Sequence, residues 1–397
     1  MNKENYISRN LNLEEILNNK SVILLGPRQT GKTSFFENQL SNVALVWDLR
    51  NSRIRRSAQE DPSLLYDQIE IRGITASSGI VVIDEIQKVP ELLDEVHRLI
   101  EDKGIHFLLT GSSARKLKRQ GINLLGGRAS EIEMHPLTYL ELSKTPKFKD
   151  IHLDDILNKG MLPAAWSSSN SDEFLNDYID TYLNEEIAME ALTRNLPAFS
   201  NFLQLAALSS GEELNYSNIA RDLGMSKDSI SGWYKVLEDT LIGFSIQPWK
   251  KGSKRKASSI SKFYLFDVGI TRFLSNNSQL EPSSSIYGRL LENYIAIELK
   301  TYLSYNKIRQ PLTFWRTQRG TYEVDFLIGD NVAIEVKASK KITDKQLAGL
   351  RAIEEENHFN YRIVVCTEEI PRKTEDGIII YPWKLFLEHL YENRFYN

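Results

Sequence analysis

Hydrophobic residues in the first third of the chain are concentrated in short, nearly uninterrupted runs at residues 21–25, 44–47, 79–83 and 106–109. Strands of a parallel sheet have this pattern because helices cover both faces of the sheet and keep them from water. Apolar positions at helical spacing over 92–101, and over a shorter leading segment at 11–18, predict helices. This alternation of strands and helices predicts a three-layer α/β domain with a parallel sheet.

The hydrophobic pattern changes beyond residue 132 and divides the rest of the chain into two further regions. Residues 172–239 have helical periodicity, and the segment after a polar stretch at 275–285 mixes helix and strand signals. The polar and charged segment at 144–153 is typical of a linker. The predicted boundaries are 1–145 for the first domain, 150–272 for a helical region and 283–397 for a C-terminal α/β domain.

Composition and charge limit the possible function classes. With 397 residues, of which 41% are hydrophobic and 26% charged, the chain resembles an ordinary soluble protein of two or three domains. Its net charge of −4 means that any surface for nucleic acid must be a local basic patch. No apolar run approaches the ~20 residues of a membrane helix, so a cytoplasmic location is expected. The single cysteine, Cys366, excludes an internal disulfide, and the six histidines lack the spacing of metal ligands.

A glycine-rich turn follows the first predicted strand and precedes a helix. Its sequence from Gly26 to Thr33 fits the P-loop pattern GxxxxGK(S/T), in which backbone N–H groups and a helix N-terminus surround phosphate oxygens. Lys32 would reach the β- and γ-phosphates of ATP, and the Thr33 hydroxyl would bind Mg²⁺. The predicted nucleotide-binding residues are Gly26, Pro27, Arg28, Gln29, Thr30, Gly31, Lys32, Thr33, Ser34 and Thr110.

Two acids, Asp84 and Glu85, end the third apolar run. One carboxylate at this strand end can join the Mg²⁺ shell while the other polarises the attacking water, so Asp84 is the predicted metal ligand and Glu85 the predicted general base. The next strand ends in Thr110 and Ser112, which would either sense the γ-phosphate or simply cap a helix. Arg128, on a Gly-Gly turn, fits either an arginine finger acting on a neighbouring subunit or a plain surface arginine.

Together these motifs resemble the AAA+ superfamily of ATPases. The resemblance rests on the P-loop, the Asp-Glu-Ile-Gln-Lys of 84–88, the Thr-Gly-Ser-Ser of 110–113 and the Gly-Gly-Arg of 126–128. It extends to a prokaryotic AAA+ group that carries a C-terminal domain of unknown function. The segments at 262–269, 291–293 and 323–326 of this chain resemble signatures of that domain. The resemblance covers nearly the whole chain and implies binding of ATP and Mg²⁺, but it implies little about a substrate.

Residues 216–237 fit a helix-turn-helix. Ala220 would let the two helices approach, Gly224 would permit the turn, and Ser226 would cap a second helix over 226–238. A following loop with five basic residues lies between two predicted strands and resembles the wing of a winged helix. The alternative is a plain protein-interaction or lid module. The candidate nucleic-acid contacts are Lys227, Lys250, Lys251, Lys254, Arg255 and Lys256.

Two acids and a lysine converge in a predicted hairpin at 323–337. Glu335 and Lys337 are two residues apart and face the same side of their strand, with Asp325 across the hairpin. Mg²⁺ or Mn²⁺ held by Asp325 and Glu335 would offset the burial of these charges, while Lys337 would orient the attacking water. The arrangement resembles the PD-(D/E)XK nuclease superfamily, which implies Glu292 as a further metal ligand. A structural salt bridge between the strands is the alternative.

Two functions of different classes remain open from the sequence. In the first, ATP hydrolysis gates the access of nucleic acid, expected to be DNA, to a C-terminal nuclease-like site; the acid-acid-lysine set favours it. In the second, the protein is an ATP-dependent switch or scaffold whose C-terminal domain contacts a protein partner; the acidic net charge favours it. An arginine finger acting on a neighbour would require a homo-oligomer.

Overall fold

The structure is a computed structural model and describes residues 6–395 except 114, 116–124, 189–190, 192, 194, 253, 277–279 and 283. Leu124 of the predicted Gly-Gly-Arg turn, Ser253 of the basic loop and the predicted boundary residue Ser283 therefore lie outside the described residues. The chain divides into two compact units. The first comprises Met1–Leu137 and Asp239–Ile242, and the second comprises Thr138–Glu238 and Gly243–Asn397.

The first unit contains a five-stranded parallel sheet with the order β2-β3-β4-β1-β5. Because β4 lies between β1 and β3, the carboxyl ends of these three strands meet at one edge, where ligands of open α/β sheets bind. The predicted α/β fold with a parallel sheet is confirmed. The strands are β1 (Ser21–Leu25), β2 (Val43–Asp48), β3 (Ile80–Asp84), β4 (Phe107–Gly111) and β5 (Ala129–Glu133).

Helices of the first unit bury their apolar stripes against this sheet. The predicted helix at 92–101 extends to Lys103, since Gly104 ends it with a φ of +64°. Residues such as Val96, Leu99 and Phe107 are fully buried in the core, and each contributes about 1.5–3 kcal/mol of burial free energy. The helices are α1 (Glu14–Leu17), α2 (Lys32–Gln39), α3 (Ser52–Glu60), α4 (Leu64–Ile71) and α5 (Leu92–Lys103), with 3₁₀ turns at Ile86–Lys88 and Leu125–Gly127.

The second unit is built on an eight-stranded sheet with the order β12-β13-β11-β10-β9-β8-β6-β7. The two strands that flank the basic loop, β6 and β7, extend the sheet of the C-terminal segment, so the second and third predicted regions share one sheet. The predicted hairpin forms between β9 and β10, with Ile334 opposite Phe326. The strands are β6 (Gly243–Pro248), β7 (Lys262–Leu265), β8 (Leu312–Arg316), β9 (Glu323–Ile328), β10 (Val332–Lys337), β11 (Tyr361–Cys366), β12 (Arg372–Lys373) and β13 (Ile379–Pro382).

Helices of the second unit pack on this sheet and on one another. In the described part of the chain, no helix is both long and apolar enough to cross a membrane. The helices are α6 (Tyr139–Ser143), α7 (Leu153–Lys159), α8 (Pro163–Ser167), α9 (Ser171–Asp177), α10 (Leu196–Leu208), α11 (Tyr216–Leu223), α12 (Lys227–Asp239), α13 (Val268–Leu274), α14 (Ser285–Tyr305), α15 (Ala348–Glu354) and α16 (Trp383–Tyr391). A π-helical segment spans Tyr178–Ile187, and 3₁₀ turns occur at Pro146–Phe148 and Asp344–Leu347.

The α11–α12 pair has the local geometry of a helix-turn-helix. Ala220 is buried, and Gly224 ends α11 with a φ of +64°, a left-handed conformation that glycine adopts without strain. The Ser226 hydroxyl accepts a hydrogen bond of 3.1 Å from the backbone N–H of Ser229, which makes Ser226 the cap of α12. Ile230 and Trp233 are buried on the inner face of α12.

Candidate nucleotide site and acid–lysine cluster

The glycine-rich turn between β1 and α2 has a tightly curled backbone. Gln29 and Gly31 have φ values of +62° and +95°, and the Thr30 hydroxyl donates a 2.9 Å hydrogen bond to the Pro27 carbonyl. Lys32 begins α2, and its buried ammonium donates to the carbonyls of Gly26 at 2.7 Å and Pro27 at 3.0 Å. Burial lowers the pKa of Lys32 to about 8, against the opposing effect of Glu85 and Asp84. The loop thus concentrates N–H groups and a buried cation where phosphate oxygens would bind.

Thr33 and Asp84 form the metal side of this site. The Thr33 hydroxyl donates a 2.9 Å hydrogen bond to Oδ2 of Asp84, and the Thr110 hydroxyl donates to the other carboxylate oxygen. Asp84 is fully buried at the end of β3. A hydroxyl and a carboxylate this close are the hard oxygen ligands that Mg²⁺ prefers. The residues present therefore fit a magnesium ion held by Thr33 and Asp84.

Glu85 follows Asp84 and is fixed by two neighbours, Thr110 and Gln87. Its backbone has a φ of +65°, and its N–H donates a 3.1 Å hydrogen bond to the Thr110 hydroxyl. The Gln87 side-chain amide donates to Oε2 of Glu85 at 2.6 Å and to the Ser112 hydroxyl at 2.9 Å. Thr110 therefore supports both acids, and its role as a γ-phosphate sensor stays a prediction. Gln87 was not identified from the sequence, because only the 3₁₀ turn after β3 directs its side chain back to Glu85.

Two arginines that the sequence did not single out contact the site from other elements. The buried guanidinium of Arg9 donates to the carbonyls of Thr30 at 2.6 Å, His135 at 2.7 Å and Pro136 at 3.0 Å, and so braces the P-loop. Arg50, just beyond β2, contacts the metal side of the site. The sequence did not reveal either role, because the site residues that they contact, Thr30 for Arg9 and Thr33 and Asp84 for Arg50, lie on other segments of the chain.

Arg128 lies at the other edge of the sheet. Ala129, which follows it, is in register with Ser21 at the start of β1, whereas the P-loop follows the end of that strand. The guanidinium of Arg128 pairs with Glu101 on α5. The sheet geometry therefore places Arg128 away from the nucleotide site of its own chain. Its role as a finger acting on a neighbouring subunit stays a prediction.

In the second unit, the predicted acids and lysine come together on the β9–β10 hairpin. Asp325 accepts a 2.8 Å hydrogen bond from the backbone N–H of Val336 on the opposite strand. The Lys337 ammonium contacts Oε1 of Glu335 and lies 3.7 Å from Oδ2 of Asp325. Both carboxylates are buried. The other oxygen of Glu335 is buried with no hydrogen-bond partner among the described residues.

A second lysine, Lys262 on β7, completes this acid–lysine cluster. Its side chain is only 3% exposed, and its ammonium lies 2.7 Å from Glu323, 3.2 Å from Glu292 and 3.9 Å from Asp325. Tyr264, two residues along the same strand, donates a 2.7 Å hydrogen bond to Glu292. The alternation of polar and apolar side chains in Lys262–Leu265 is the sequence signal that could have placed Lys262 and Tyr264 on the same face of their strand.

The charge balance of the cluster bears on the predicted metal ion. Burial and the charge of Asp325 raise the pKa of Glu335 to about 8, against the opposing effect of Lys337. Burial also raises the pKa of Glu292, which the charge of Lys262 opposes. Among the described residues, no group of three or more His, Cys, Asp or Glu side chains is arranged so that it could hold a metal ion. Because the Lys262 ammonium lies between the carboxylates of Glu292 and Asp325, the cluster in this arrangement does not fit Mg²⁺ or Mn²⁺.

The basic loop after β6 is partly neutralised within its own unit. Lys251 pairs with Asp330 at 2.5 Å, and Arg255 pairs with Glu355 at 2.7 Å and Glu356 at 2.9 Å. These two predicted nucleic-acid contacts therefore bind acids of the chain itself. The other four are exposed, and they are Lys227 on α12 and Lys250, Lys254 and Lys256 in the loop.

Three protein families match consecutive parts of the chain. An AAA domain matches residues 18–143, a Domain of unknown function (DUF8612) matches residues 150–281, and a Domain of unknown function (DUF4143) matches residues 287–386. Together with the P-loop and the parallel five-stranded sheet, the first match identifies the N-terminal part as a P-loop AAA+ domain. The other two matches carry no assigned activity.

Relatives with similar sequences occur in bacteria and archaea. An uncharacterized protein of Mycobacterium tuberculosis is 25% identical over 319 residues, which cover 77% of this chain and 67% of the relative. An uncharacterized protein of Methanocaldococcus jannaschii is 24% identical over 416 residues, which cover 92% of this chain and 84% of the relative.

Similarity to solved structures is weak. The Aeropyrum pernix ORC1 protein in complex with DNA is 13% identical with a TM-score of 0.28, and the match covers 70% of this chain and 95% of that one. Domain III of the Thermotoga maritima replication initiation protein DnaA is 12% identical with a TM-score of 0.25, and the match covers 60% of this chain and 95% of that one. At these scores the similarity adds no evidence about function.

Proposed function

We propose that the chain binds and hydrolyses ATP at the site formed by the P-loop, Asp84 and Glu85. The observation that carries this proposal is the 2.9 Å hydrogen bond from Thr33 to Asp84 beside the buried Lys32 ammonium. Lys32 would exchange its bonds to the loop carbonyls for phosphate oxygens. Bound Mg²⁺, held by Thr33 and Asp84, would neutralise charge on the β- and γ-phosphates. Glu85, held by Gln87, would orient the attacking water and take its proton.

ATP binding and turnover by the full chain test this proposal. Lys32→Ala should abolish ATP binding, whereas Glu85→Gln should still bind ATP but lose hydrolysis by about a hundredfold or more. Glu91→Gln, an exposed acid at the start of α5, is the matched control and should turn over ATP like the wild type. Wild-type turnover in Glu85→Gln would rule out the assigned general base, and absence of ATP binding in the wild type would rule out the proposed function.

For the second unit, the acid–lysine cluster favours the switch or scaffold function over metal-dependent cleavage. The supporting observation is that the Lys262 ammonium lies close to Glu292 and Asp325, two of the carboxylates that were predicted to hold metal. We expect no cleavage of plasmid or short duplex DNA with Mg²⁺ or Mn²⁺, with or without ATP. Cleavage that disappears in Lys337→Ala and changes in Lys32→Ala would instead support the ATP-gated nuclease.

Contact with nucleic acid, expected to be DNA, is supported by the local geometry of the α11–α12 pair and, separately, by the exposed lysines of the basic loop. Replacing Lys250, Lys254 and Lys256 together with alanine should weaken duplex binding. The slope of log K against log salt concentration should become less negative by about 0.9 for each phosphate that is no longer neutralised. Lys251→Ala is the matched control, because Lys251 already pairs with Asp330. Equal salt slopes for all variants, or no gel shift of duplex DNA by the wild type, would favour a protein partner.

An oligomer with Arg128 acting on a neighbour is a separate proposal. Arg128→Ala and Lys32→Ala chains should each be inactive alone, and mixing them should restore part of the ATP turnover. A monomeric chain with full turnover would contradict it.

A further inference from the structure

Arg50 binds three oxygen-bearing side chains of the first unit at once. Its guanidinium forms two parallel hydrogen bonds with the Asp48 carboxylate, at 2.8 and 2.9 Å. It also donates a 3.2 Å hydrogen bond to the Thr33 hydroxyl, and its Nε lies 3.2 Å from Oδ2 of Asp84. Thr33 and Asp84 are the two residues whose oxygens suit Mg²⁺, so the guanidinium lies against both proposed metal ligands.

The sheet fixes this arrangement. Asp48 and Asp84 end neighbouring parallel strands and are paired in register, and the N–H of Leu49 donates a 3.1 Å hydrogen bond to the Asp84 carbonyl. Asp48 therefore anchors Arg50 next to the buried Asp84 carboxylate. The Arg50 side chain is 46% exposed, so its guanidinium has solvent beside it when it moves away from Thr33 and Asp84.

We propose that Arg50 is a built-in competitor of Mg²⁺ for the oxygens of Thr33 and Asp84, and that the metal–nucleotide complex must displace it. The inference rests on the proposed ATP site. A guanidinium and a divalent cation at the same two oxygens repel each other, and the repulsion is strong beside a buried carboxylate. Arg50 also pairs with the Asp84 charge, which would be unfavourable to bury alone. The consequence is a site that discriminates against free divalent cations and accepts the ion together with a nucleotide.

Binding of Mn²⁺ alone, followed by the electron paramagnetic resonance signal of the free ion, tests the competition in the full chain. Arg50→Gln should bind Mn²⁺ about tenfold more tightly than the wild type, because one positive charge near Asp84 is removed. Arg50→Lys, which retains that charge, should differ little from the wild type. Arg53→Gln removes a nearby exposed arginine and should leave Mn²⁺ binding unchanged. Equal or weaker binding by Arg50→Gln would overturn the proposal.

A double variant shows which residues hold the Mn²⁺ that Arg50→Gln binds more tightly. Loss of Arg50 also releases Asp48, which could attract Mn²⁺ by itself. In Asp48→Asn/Arg50→Gln the tighter binding should persist, because Thr33 and Asp84 remain. If the increase disappears in the double variant, the ion binds to Asp48 and the proposal fails.

Nucleotide affinity provides a second readout and separates this inference from the proposed function. The ratio of the ADP dissociation constants measured in EDTA and in Mg²⁺ should rise about tenfold in Arg50→Gln, since Mg²⁺ then has no competitor. An unchanged ratio would overturn the inference even if ATP hydrolysis is confirmed. Absence of nucleotide binding by the wild type, with tighter Mn²⁺ binding by Arg50→Gln, would overturn the proposed ATPase but leave the competition at Thr33 and Asp84 in place.

Discussion

The Lys262 ammonium lies 2.7 Å from Oε1 of Glu323, and this ion pair joins β7 to β9 inside the second unit. β7 precedes the polar stretch at 275–285 that predicted a domain boundary, and β9 follows it. The same ammonium reaches Glu292 on α14. A buried charge thus links segments on both sides of that stretch, and both segments belong to the second compact unit.

Replacing Lys262 with methionine should destabilise the second unit. The change leaves the partly buried carboxylates of Glu292 and Glu323 without their ammonium. Breaking a fully buried ion pair from one side costs about 3–5 kcal/mol, and the partial exposure of these two acids lowers the expected loss to about 2–3 kcal/mol. Urea denaturation at neutral pH measures the loss. Lys250→Met, on the exposed loop, is the control and should stay within about 0.5 kcal/mol of the wild type. A loss below about 1 kcal/mol in Lys262→Met would show that the cluster tolerates an unpaired acid.

Gln87→Met should lower the rate of ATP hydrolysis while leaving ATP affinity nearly unchanged. Gln87 orients Glu85, so misplacing the proposed general base should reduce kcat by about tenfold to a hundredfold. Single-turnover hydrolysis and equilibrium ATP binding measure the two effects separately. Gln68→Met, which removes an acceptor for the Trp47 indole N–H in the same unit, should shift stability without a comparable change in kcat. Equal reductions of affinity and kcat in Gln87→Met would contradict the positioning role.

Two glycine-to-alanine substitutions should change stability in opposite directions. At Gly349 on α15, an added Cβ would lie 1.9 Å from the Glu323 carbonyl oxygen, and such overpacking costs about 1–3 kcal/mol. At Gly232 on α12, an added Cβ has no neighbour within 4 Å, so alanine should stabilise the helix by about 0.5–1 kcal/mol. Thermal or urea unfolding of both variants tests the signs, and a stabilised Gly349→Ala would contradict the packing of α15 on β9.

The stability difference between the wild type and Glu298→Gln should depend on pH. Burial raises the pKa of Glu298 on α14 to about 7, although the Tyr391 hydroxyl, the Tyr139 N–H and the Tyr294 hydroxyl donate hydrogen bonds that oppose the rise. The folded state therefore binds the proton more tightly than the unfolded state, whose carboxyl titrates near its ordinary value of 4.5.

The tighter proton binding of Glu298 in the folded state makes the free energy of unfolding fall as pH rises. Its contribution to stability is full below pH 4.5 and is lost as pH rises through about 7, a change of roughly 3 kcal/mol between the two limits. Unfolding free energies of both proteins between pH 4.5 and pH 8 should diverge by this amount, with the wild type losing more. Parallel curves would show that Glu298 is ionised throughout.

The sequence by itself determined the features that depend on neighbouring residues. The P-loop is recognisable because its glycines, Lys32 and Thr33 act within one strand-turn-helix segment. The β9–β10 hairpin is recognisable because strand alternation places Glu335 and Lys337 on one face. The second helix of the helix-turn-helix was predicted to within one residue, since Gly224 and Ser226 set its start locally.

Only the tertiary structure decided which distant side chains meet. The fifth strand, β5, carries no continuous apolar run and is only half-buried, so its pairing with β1 was not foreseen. Arg9 and Arg50 reach the nucleotide site, and Lys262 reaches the predicted metal ligands, from segments far away in the chain. Such contacts depend on strand order and register, which are set by packing of the whole core, and no local pattern of residues encodes them.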